Sequence, residues 1–148
     1  MSPGRPDPET VRRHLAALDS ALRQLRRHSR RSLEELRDDL DIRWAVERGL
    51  QLCVQNTLDV ATHLVASAGR DAADYASAID ELGALGILPA SFAKRLRAIA
   101  GFRNVLVHGY LEVDVTRLHR VLSEQLDDFV EFAGHVERYL ERAGEAEG

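Results

Sequence analysis

Apolar residues recur at helical spacing along almost the whole chain, and this pattern restricts the fold more than any other feature of the sequence. In the first such stretch Asp7 caps a helix that has Pro8 at its first position and ends near His28. Its apolar stripe consists of Val11, Leu15, Leu18, Leu22 and Leu25. No segment shows the alternation typical of a half-buried strand, so the chain is predicted to be all-α.

Capping and stop signals divide the remaining sequence. Ser32 and Glu35 have the spacing of a capping box, so the chain is expected to turn there and to begin a new helix. Asp39 or Asp41 then caps a long helix that Gly69 ends. Three further helices are predicted: one from about Asp74 to Leu85 before Gly86, one with Pro89 in its first turn, and one from Asp114 to about Ala143.

These segments predict an antiparallel bundle of four to five helices. The length of 148 residues fits one domain with a single core. We expect a flexible N-terminus over residues 1–7, a single helical domain over 8–143 and a frayed tail over 144–148.

Composition narrows the class of protein. The single cysteine, Cys53, excludes an internal disulfide and a cysteine metal cluster, and it lies in an apolar helical stretch. The net charge of −4 means that RNA binding would need a local basic patch. The histidines show no metal-ligand spacing and no nucleotide-binding glycine loop is present, so neither a metal nor a cofactor is predicted. The absence of a signal peptide and of a membrane-length apolar run predicts a cytoplasmic protein without membrane contact.

The stretch "GFRNVLVHGY" places four polar side chains around a short apolar run. If the helix continues through it, Asn104 and His108 share a face, while Arg103 lies about 100° from Asn104. Gly109 can end the helix and allow Tyr110 to turn back toward His108. The polar tips would then converge at one helix end.

Each of these groups has a use if the ligand is RNA. Arg103 can hold a phosphate, and His108 can move protons near neutral pH. Asn104 can orient the imidazole or a 2′-hydroxyl, and Tyr110 can stack on a base or donate to phosphate. Together they could cleave RNA without a metal, through attack of the 2′-hydroxyl and formation of a 2′,3′-cyclic phosphate. The alternative is an ordinary helix end, with Arg103 paired to an acid and His108 satisfied in the core.

The segment "RNVLVHGY" resembles the R-x4-6-H motif of the HEPN superfamily, in the R-N-x3-H-x-Y form of the HepT-like toxins. The segment "RWAVERGLQLCVQNTLDVATHLV" resembles the long second helix of that family. The segment "LGALGILP...LRAIAGFRNVLVHGYLEVD" resembles its central part. The resemblance covers roughly residues 10–140.

The resemblance implies a helical homodimer whose motifs meet at the dimer cleft. It also implies a metal-independent ribonuclease toxin acting on tRNA or mRNA, with Arg103 and His108 catalytic and Asn104 supporting them. The expected partner is a minimal nucleotidyltransferase antitoxin of the MntA type, which transfers AMP from ATP to the motif tyrosine, here Tyr110. The added charge and bulk should block docking of an RNA phosphate. The residue before that tyrosine is often charged in the family, whereas here it is Gly109.

Other residues are weaker candidates for support of the motif or for RNA binding. Asp59 and His63 belong to a polar ridge with Gln51 and Gln55, which either faces the cleft or is an ordinary solvated helix face. Lys94 and Arg97, close before the motif, either contact RNA or line a solvated face. Trp44 is expected to anchor packing in the core or at a dimer interface. The alternative function is a non-catalytic helical binding module, or a regulatory subunit for a nucleotidyltransferase.

Overall fold

The computed structural model describes residues 5–107 and 114–147, and all the regular structure in these two ranges is α-helix. The all-α prediction is therefore confirmed. The helices are α1 (Pro8–Arg26), α2 (Leu33–Asp38), α3 (Leu40–Ser67), α4 (Tyr75–Ala84), α5 (Ala90–Leu96), α6 (Ala98–Val107), α7 (Val115–Glu124) and α8 (Leu126–Glu147).

Most of the predicted helix ends are found where the capping chemistry placed them. Asp7 accepts hydrogen bonds from the first turn of α1, and Ser32 and Glu35 form the capping box of α2. Asp39, not Asp41, caps α3, because its Oδ1 accepts the backbone N–H groups of residues 41 and 42. Gly69, just beyond α3, has a φ of +74°, a conformation that favours glycine.

The described residues form eight helices, more than the predicted four to five, because two of the predicted helices are each broken and α2 is a short helix of its own. One break lies at Arg97, between α5 and α6, and the other at Gln125, between α7 and α8. The apolar spacing continues across both breaks, so periodicity gives no warning of them. Each break allows the helices on its two sides to pack against different neighbours. At the first break, α5 packs on α4, whereas α6 packs on both α4 and α3. Helix α8 ends at Glu147.

Helix α3 lies at the centre of the bundle and contacts α1, α2, α4, α6, α7 and α8. Helix α1 packs against it in the opposite direction, since Asp7 contacts His63 and His14 contacts Asn56. The buried residues of α3 are Val46, Gly49, Leu50, Cys53, Val54, Thr57, Leu58, Val60, Ala61, Leu64 and Val65. These residues are buried on more than one face of α3 because helices pack against several sides of it. The polar residues of α3 therefore occupy the parts of its surface that remain.

Candidate functional site

Helix α6 carries the described half of the polar motif and lies against the polar ridge of α3. Arg103 donates from Nε to Oε1 of Gln55 at 3.2 Å. One turn further along α6, the main-chain oxygen of Leu106 accepts a hydrogen bond from Nε2 of Gln51 at 3.3 Å. The two contacts run in opposite directions along the two helices, so α3 and α6 are antiparallel here. Gln51 and Gln55 therefore face the motif helix and do not form a merely solvated face.

The guanidinium of Arg103 is half-buried and is held by neutral groups. Besides its bond to Gln55, it stacks over the ring of Tyr75, with 5.0 Å between Cζ and the ring centroid. Gln55 is itself fixed, because its Nε2 donates to Oδ1 of Asp59 at 2.7 Å. In the described part of the chain, no carboxylate forms an ion pair with Arg103 within 4.0 Å. The alternative in which Arg103 is paired to an acid is thus not found among these residues.

A cavity of about 450 Å³ opens beside this arginine, between α3 and α6. Its wall combines polar groups with apolar side chains, and its second cation is Arg48, which donates to Oε1 of Gln51 at 3.4 Å. It is lined by Arg48, Gln51, Leu52, Val54, Gln55, Arg103, Leu106 and Val107. A cavity with two arginines held by amides is suited to an anionic ligand such as a phosphodiester.

The other motif residues are only partly described. Asn104 lies on the exposed side of α6, next to Arg103. His108 and Tyr110 lie outside the described residues, as does Gly109. The convergence of the motif side chains therefore stays a prediction.

Among the candidates for support, the structure separates Asp59 from His63. Asp59 reaches the motif through its hydrogen bond with Gln55, which in turn holds Arg103. His63, one turn along α3, instead accepts a hydrogen bond from the backbone N–H of Asp7 at 3.1 Å, before the start of α1. The described contacts thus connect Asp59 to the motif helix and His63 to the beginning of α1.

The two basic candidates of α5 and its C-terminal end differ in their contacts. Lys94 is exposed. Arg97 donates from Nε to Oδ2 of Asp80 at 3.0 Å, so part of its charge is balanced by α4. Of these two, Lys94 is the residue that the structure leaves more available to a polyanion.

Two residues at this site were not predicted from the sequence. Tyr75 is the first residue of α4, and Arg48 lies one turn before Gln51 on α3. A periodic pattern could have placed Arg48 beside the polar ridge. No local signal could have paired Tyr75 with Arg103, because the contact depends on how α4 packs against α6.

The described residues show neither a candidate metal site nor a candidate membrane span. No grouping of three or more His, Cys, Asp or Glu side chains suited to a metal ion occurs among them. None of the helices in the same ranges is long and apolar enough to cross a membrane.

The architecture is an all-α bundle whose sixth helix carries an arginine poised at a cavity, and comparison with known proteins places this architecture among the HEPN folds. A solved toxin–antitoxin structure with AMP-PNP contains a chain that is similar over 88% of this chain and 98% of its own, with a TM-score of 0.79 and 17% identity. A tri-AMPylated HEPN toxin of Shewanella oneidensis, solved in complex with an MNT antitoxin, matches 86% of this chain and 96% of its own, with a TM-score of 0.76 and 18% identity. At these identities the likeness establishes the fold.

The sequence comparison identifies the family. The family model described as "Ribonuclease HepT-like" matches residues 18–136, which is most of the chain. The protein therefore belongs to the HepT-like family, as the motif predicted. A tRNA nuclease HepT of Aphanizomenon flos-aquae is 26% identical over 136 residues, which cover 90% of this chain and 92% of the relative.

Proposed function

We propose that this protein is the ribonuclease toxin of a toxin–antitoxin pair, acting on RNA in the cytoplasm. The observation that carries the proposal is the state of Arg103, a half-buried guanidinium at a cavity, held by Gln55 and Tyr75 without a carboxylate partner in the described chain. Such a group binds a phosphate without first breaking an internal ion pair. Family membership and the name of the tRNA nuclease relative support RNA, and tRNA before mRNA, as the substrate class.

The proposed reaction uses Arg103, Asn104 and His108. His108 accepts the proton of a 2′-hydroxyl, whose oxygen forms a bond to the adjacent phosphorus while the bond from phosphorus to the 5′-oxygen breaks. The leaving 5′-oxygen takes up a proton from solvent water, and the products are a 2′,3′-cyclic phosphate and a 5′-hydroxyl. Arg103 neutralises charge on the phosphate oxygens, and Asn104 orients the imidazole or the 2′-hydroxyl. No metal takes part in this scheme.

A homodimer is the proposed assembly, and exposed apolar residues near the cavity support it. Trp44 is 62% exposed and Val107, in the cavity wall, is 45% exposed. Trp44 lies one turn before Arg48, another residue of the same cavity wall. Trp44 is not in the core, so its expected role as a packing anchor requires contact with the surface of a second chain. Pairing of two chains over this face would bring two copies of the motif helix near one another.

The proposed regulation is AMPylation of Tyr110 by a nucleotidyltransferase antitoxin. The structurally similar HEPN toxin of Shewanella oneidensis is tri-AMPylated and in complex with an MNT antitoxin. Each AMP adds a phosphate charge close to the residues that must bind an RNA phosphate, so repulsion and bulk would prevent docking. The alternative function, a non-catalytic binding module or regulatory subunit for the nucleotidyltransferase, shares this partner but predicts no RNA cleavage.

The decisive experiment is cleavage of total tRNA by purified protein made without the antitoxin, in the presence of EDTA. We expect cleavage, products with 2′,3′-cyclic phosphate ends, and a decrease in activity of at least about a hundredfold in Arg103→Ala and His108→Ala. Arg142→Ala, which removes an exposed arginine of α8, is the matched control and should retain activity. Equal activity in all variants would show that the motif is not the active site, and complete inactivity of the unmodified protein would favour the binding module.

A second experiment tests the regulation. Intact mass and peptide mapping of the protein, made with and without the antitoxin, should reveal one or more AMP groups on the Tyr110 peptide only in the first case. Modification elsewhere, or none, would contradict the assignment of Tyr110.

A further inference from the structure

A second groove, of about 650 Å³, lies on the other side of α6, where α6 meets α7 and the start of α8. It is separate from the cavity at Arg103 and takes no part in the proposed reaction. Its lining includes Arg95, Phe102, Arg117, Arg120, Glu124 and Asp128. The groove thus combines three arginines and two carboxylates with apolar side chains.

Arg117 is positioned in this groove by the motif helix itself. Its Cζ lies 5.3 Å from the centroid of the Phe102 ring, and Phe102 is buried. Its Nη2 lies 3.9 Å from the place that a Cβ on Gly101 would occupy, so the absence of a side chain at Gly101 leaves room for the guanidinium. Stacking of this kind orients the guanidinium but does not neutralise it.

The charges of the groove are balanced at one end and unbalanced at the other. Arg95 is paired with Asp128, at 3.3 Å, and also with Glu131. In contrast, no carboxylate of the described chain lies within 4.0 Å of the guanidinium nitrogens of Arg117 or Arg120. The two arginines are three residues apart on α7 and share its groove-facing side. Glu124, one turn after Arg120 on α7, also lines the groove. The end between α6 and α7 thus holds two arginines and one carboxylate, and its net charge is positive.

The position of Arg117 relative to the motif helix indicates what kind of anion the α6–α7 end of the groove would bind. Gly101 and Asn104 belong to the exposed side of α6. The exposed side of α6 has two edges. Arg103 lies at the edge next to α3, and Arg117 of α7 lies at the opposite edge, beside Gly101. A polyanion crossing the exposed side of α6 would thus meet a guanidinium at each edge.

We propose that Arg117 and Arg120 form a second phosphate-binding subsite, which holds the RNA strand beside the scissile phosphate. The proposal rests on the proposed ribonuclease function and extends it from the reacting phosphate to a neighbouring one. Two arginines without carboxylate partners in the described chain suit a phosphodiester backbone, which recurs with one charge per nucleotide. Because contacts to the backbone carry no sequence information, this subsite would contribute affinity and register, not base specificity.

The test measures binding of a single-stranded 2′-O-methyl oligoribonucleotide, which has no free 2′-hydroxyl and cannot be cleaved. Fluorescence anisotropy over a series of salt concentrations gives both Kd and its salt dependence. In the variant R117Q/R120Q we expect weaker binding and a salt slope reduced by about 0.7 for each phosphate that the protein no longer neutralises. Arg117→Lys keeps the charge but removes the planar group that stacks on Phe102, so it should be intermediate.

The matched control is R30Q/R142Q, which removes the same charge at exposed positions outside the groove. If the control weakens binding as much as R117Q/R120Q, the effect is one of net charge and the subsite is wrong. Because Arg120 is exposed, Arg120→Gln alone should fold normally and remains informative if the double variant is unstable.

The outcomes separate this subsite from the ribonuclease function. Unchanged RNA binding by R117Q/R120Q, in a protein that still cleaves tRNA, would overturn the subsite and leave the function intact. A wild-type protein that neither binds the oligonucleotide nor cleaves tRNA would overturn both. A change in oligomeric state without a change in RNA affinity would identify the groove as a subunit contact and likewise overturn the subsite.

Discussion

Arg103 is oriented by Gln55, whose Oε1 accepts its Nε–H at 3.2 Å, and this partner is a neutral amide that itself donates to Asp59. The amide fixes the direction of the guanidinium, and the carboxylate lies one hydrogen bond further away. The arrangement orders the cation without a carboxylate partner among the described residues, and an ordered cation of this kind can stabilise charge that develops on a phosphate.

Gln55→Leu should therefore lower RNA cleavage without unfolding the protein. A hydrogen bond to a charged group contributes about 1.5–3 kcal/mol, so we expect turnover to fall by roughly tenfold or more. The decrease should appear in kcat more than in KM, because orientation matters most when charge develops. Gln24→Leu is the matched control, since Gln24 lies on α1 and its side chain accepts a hydrogen bond from Arg27. Equal decreases in both variants would refute the role of Gln55.

Trp44→Glu should dissociate the proposed homodimer. An exposed tryptophan at the centre of an interface is a typical hot spot, and a charge placed there would be buried without a partner. Size-exclusion chromatography with light scattering should give a dimer for the wild type and a monomer for the variant. Val130→Glu, at an apolar position of α8 that is 48% exposed, is the control and should leave the mass unchanged. A wild-type monomer at micromolar concentration would contradict the proposal.

Cys53 should not react with thiol reagents while the protein is folded. Its side chain is fully buried in α3, and burial raises the pKa of the thiol to about 12. Since only the thiolate is nucleophilic, alkylation by iodoacetamide at about pH 8 should require unfolding. Labelling should follow the unfolding curve in urea. If the native protein were labelled rapidly while circular dichroism detected no unfolding, Cys53 would be accessible to the reagent and the buried position of its thiol would be contradicted.

Gly49→Ala should destabilise the contact between α1 and α3. A Cβ on Gly49 would lie 2.6 Å from Cδ2 of Leu25, which is itself buried. Overpacking costs about 1–3 kcal/mol, more than the gain of up to about 1 kcal/mol that alanine offers within a helix. Gly134→Ala, in α8, is the matched control, because its Cβ would meet only the guanidinium end of Arg138 at 3.5 Å. Urea denaturation should show the first variant less stable than the second, and the reverse order would contradict the packing of these helices.

The cap of α4 should add stability that depends on pH. The backbone N–H of Ser77 donates to Asp74 at 2.8 Å and holds the pKa of that carboxyl below its ordinary value of 3.8. The contribution is therefore complete above about pH 4 and is lost as the pH falls through the lower pKa of the folded state. Asp74→Asn keeps a capping oxygen but does not titrate. The stability difference between wild type and variant should thus shrink below about pH 4, and a difference that stays constant down to about pH 2 would contradict the role of this cap.

Local chemistry in the sequence was sufficient for much of the fold. Asp7 and Ser32 cap helices where the spacing predicted, because a cap depends on atoms within a few residues. Helix α4 begins next to Asp74, near its predicted start. The breaks at Arg97 and Gln125 were missed, because each depends on which helices the two halves pack against. Apolar spacing reports that a helix has a buried face but not how many partners cover it.

The candidate site shows the same division between what local sequence determines and what helix packing determines. The sequence by itself determined the chemical groups of the motif and the family, since residue types at fixed spacing are local information. Only the tertiary structure decided that Gln55 and Tyr75 hold Arg103, and that Arg117 lies at the opposite edge of α6. These contacts join residues far apart in the chain, and they exist because antiparallel packing against α3 and the break before α6 orient the motif helix. Sequence therefore specified which groups are present, and helix packing decided which of their charges remain available to a ligand.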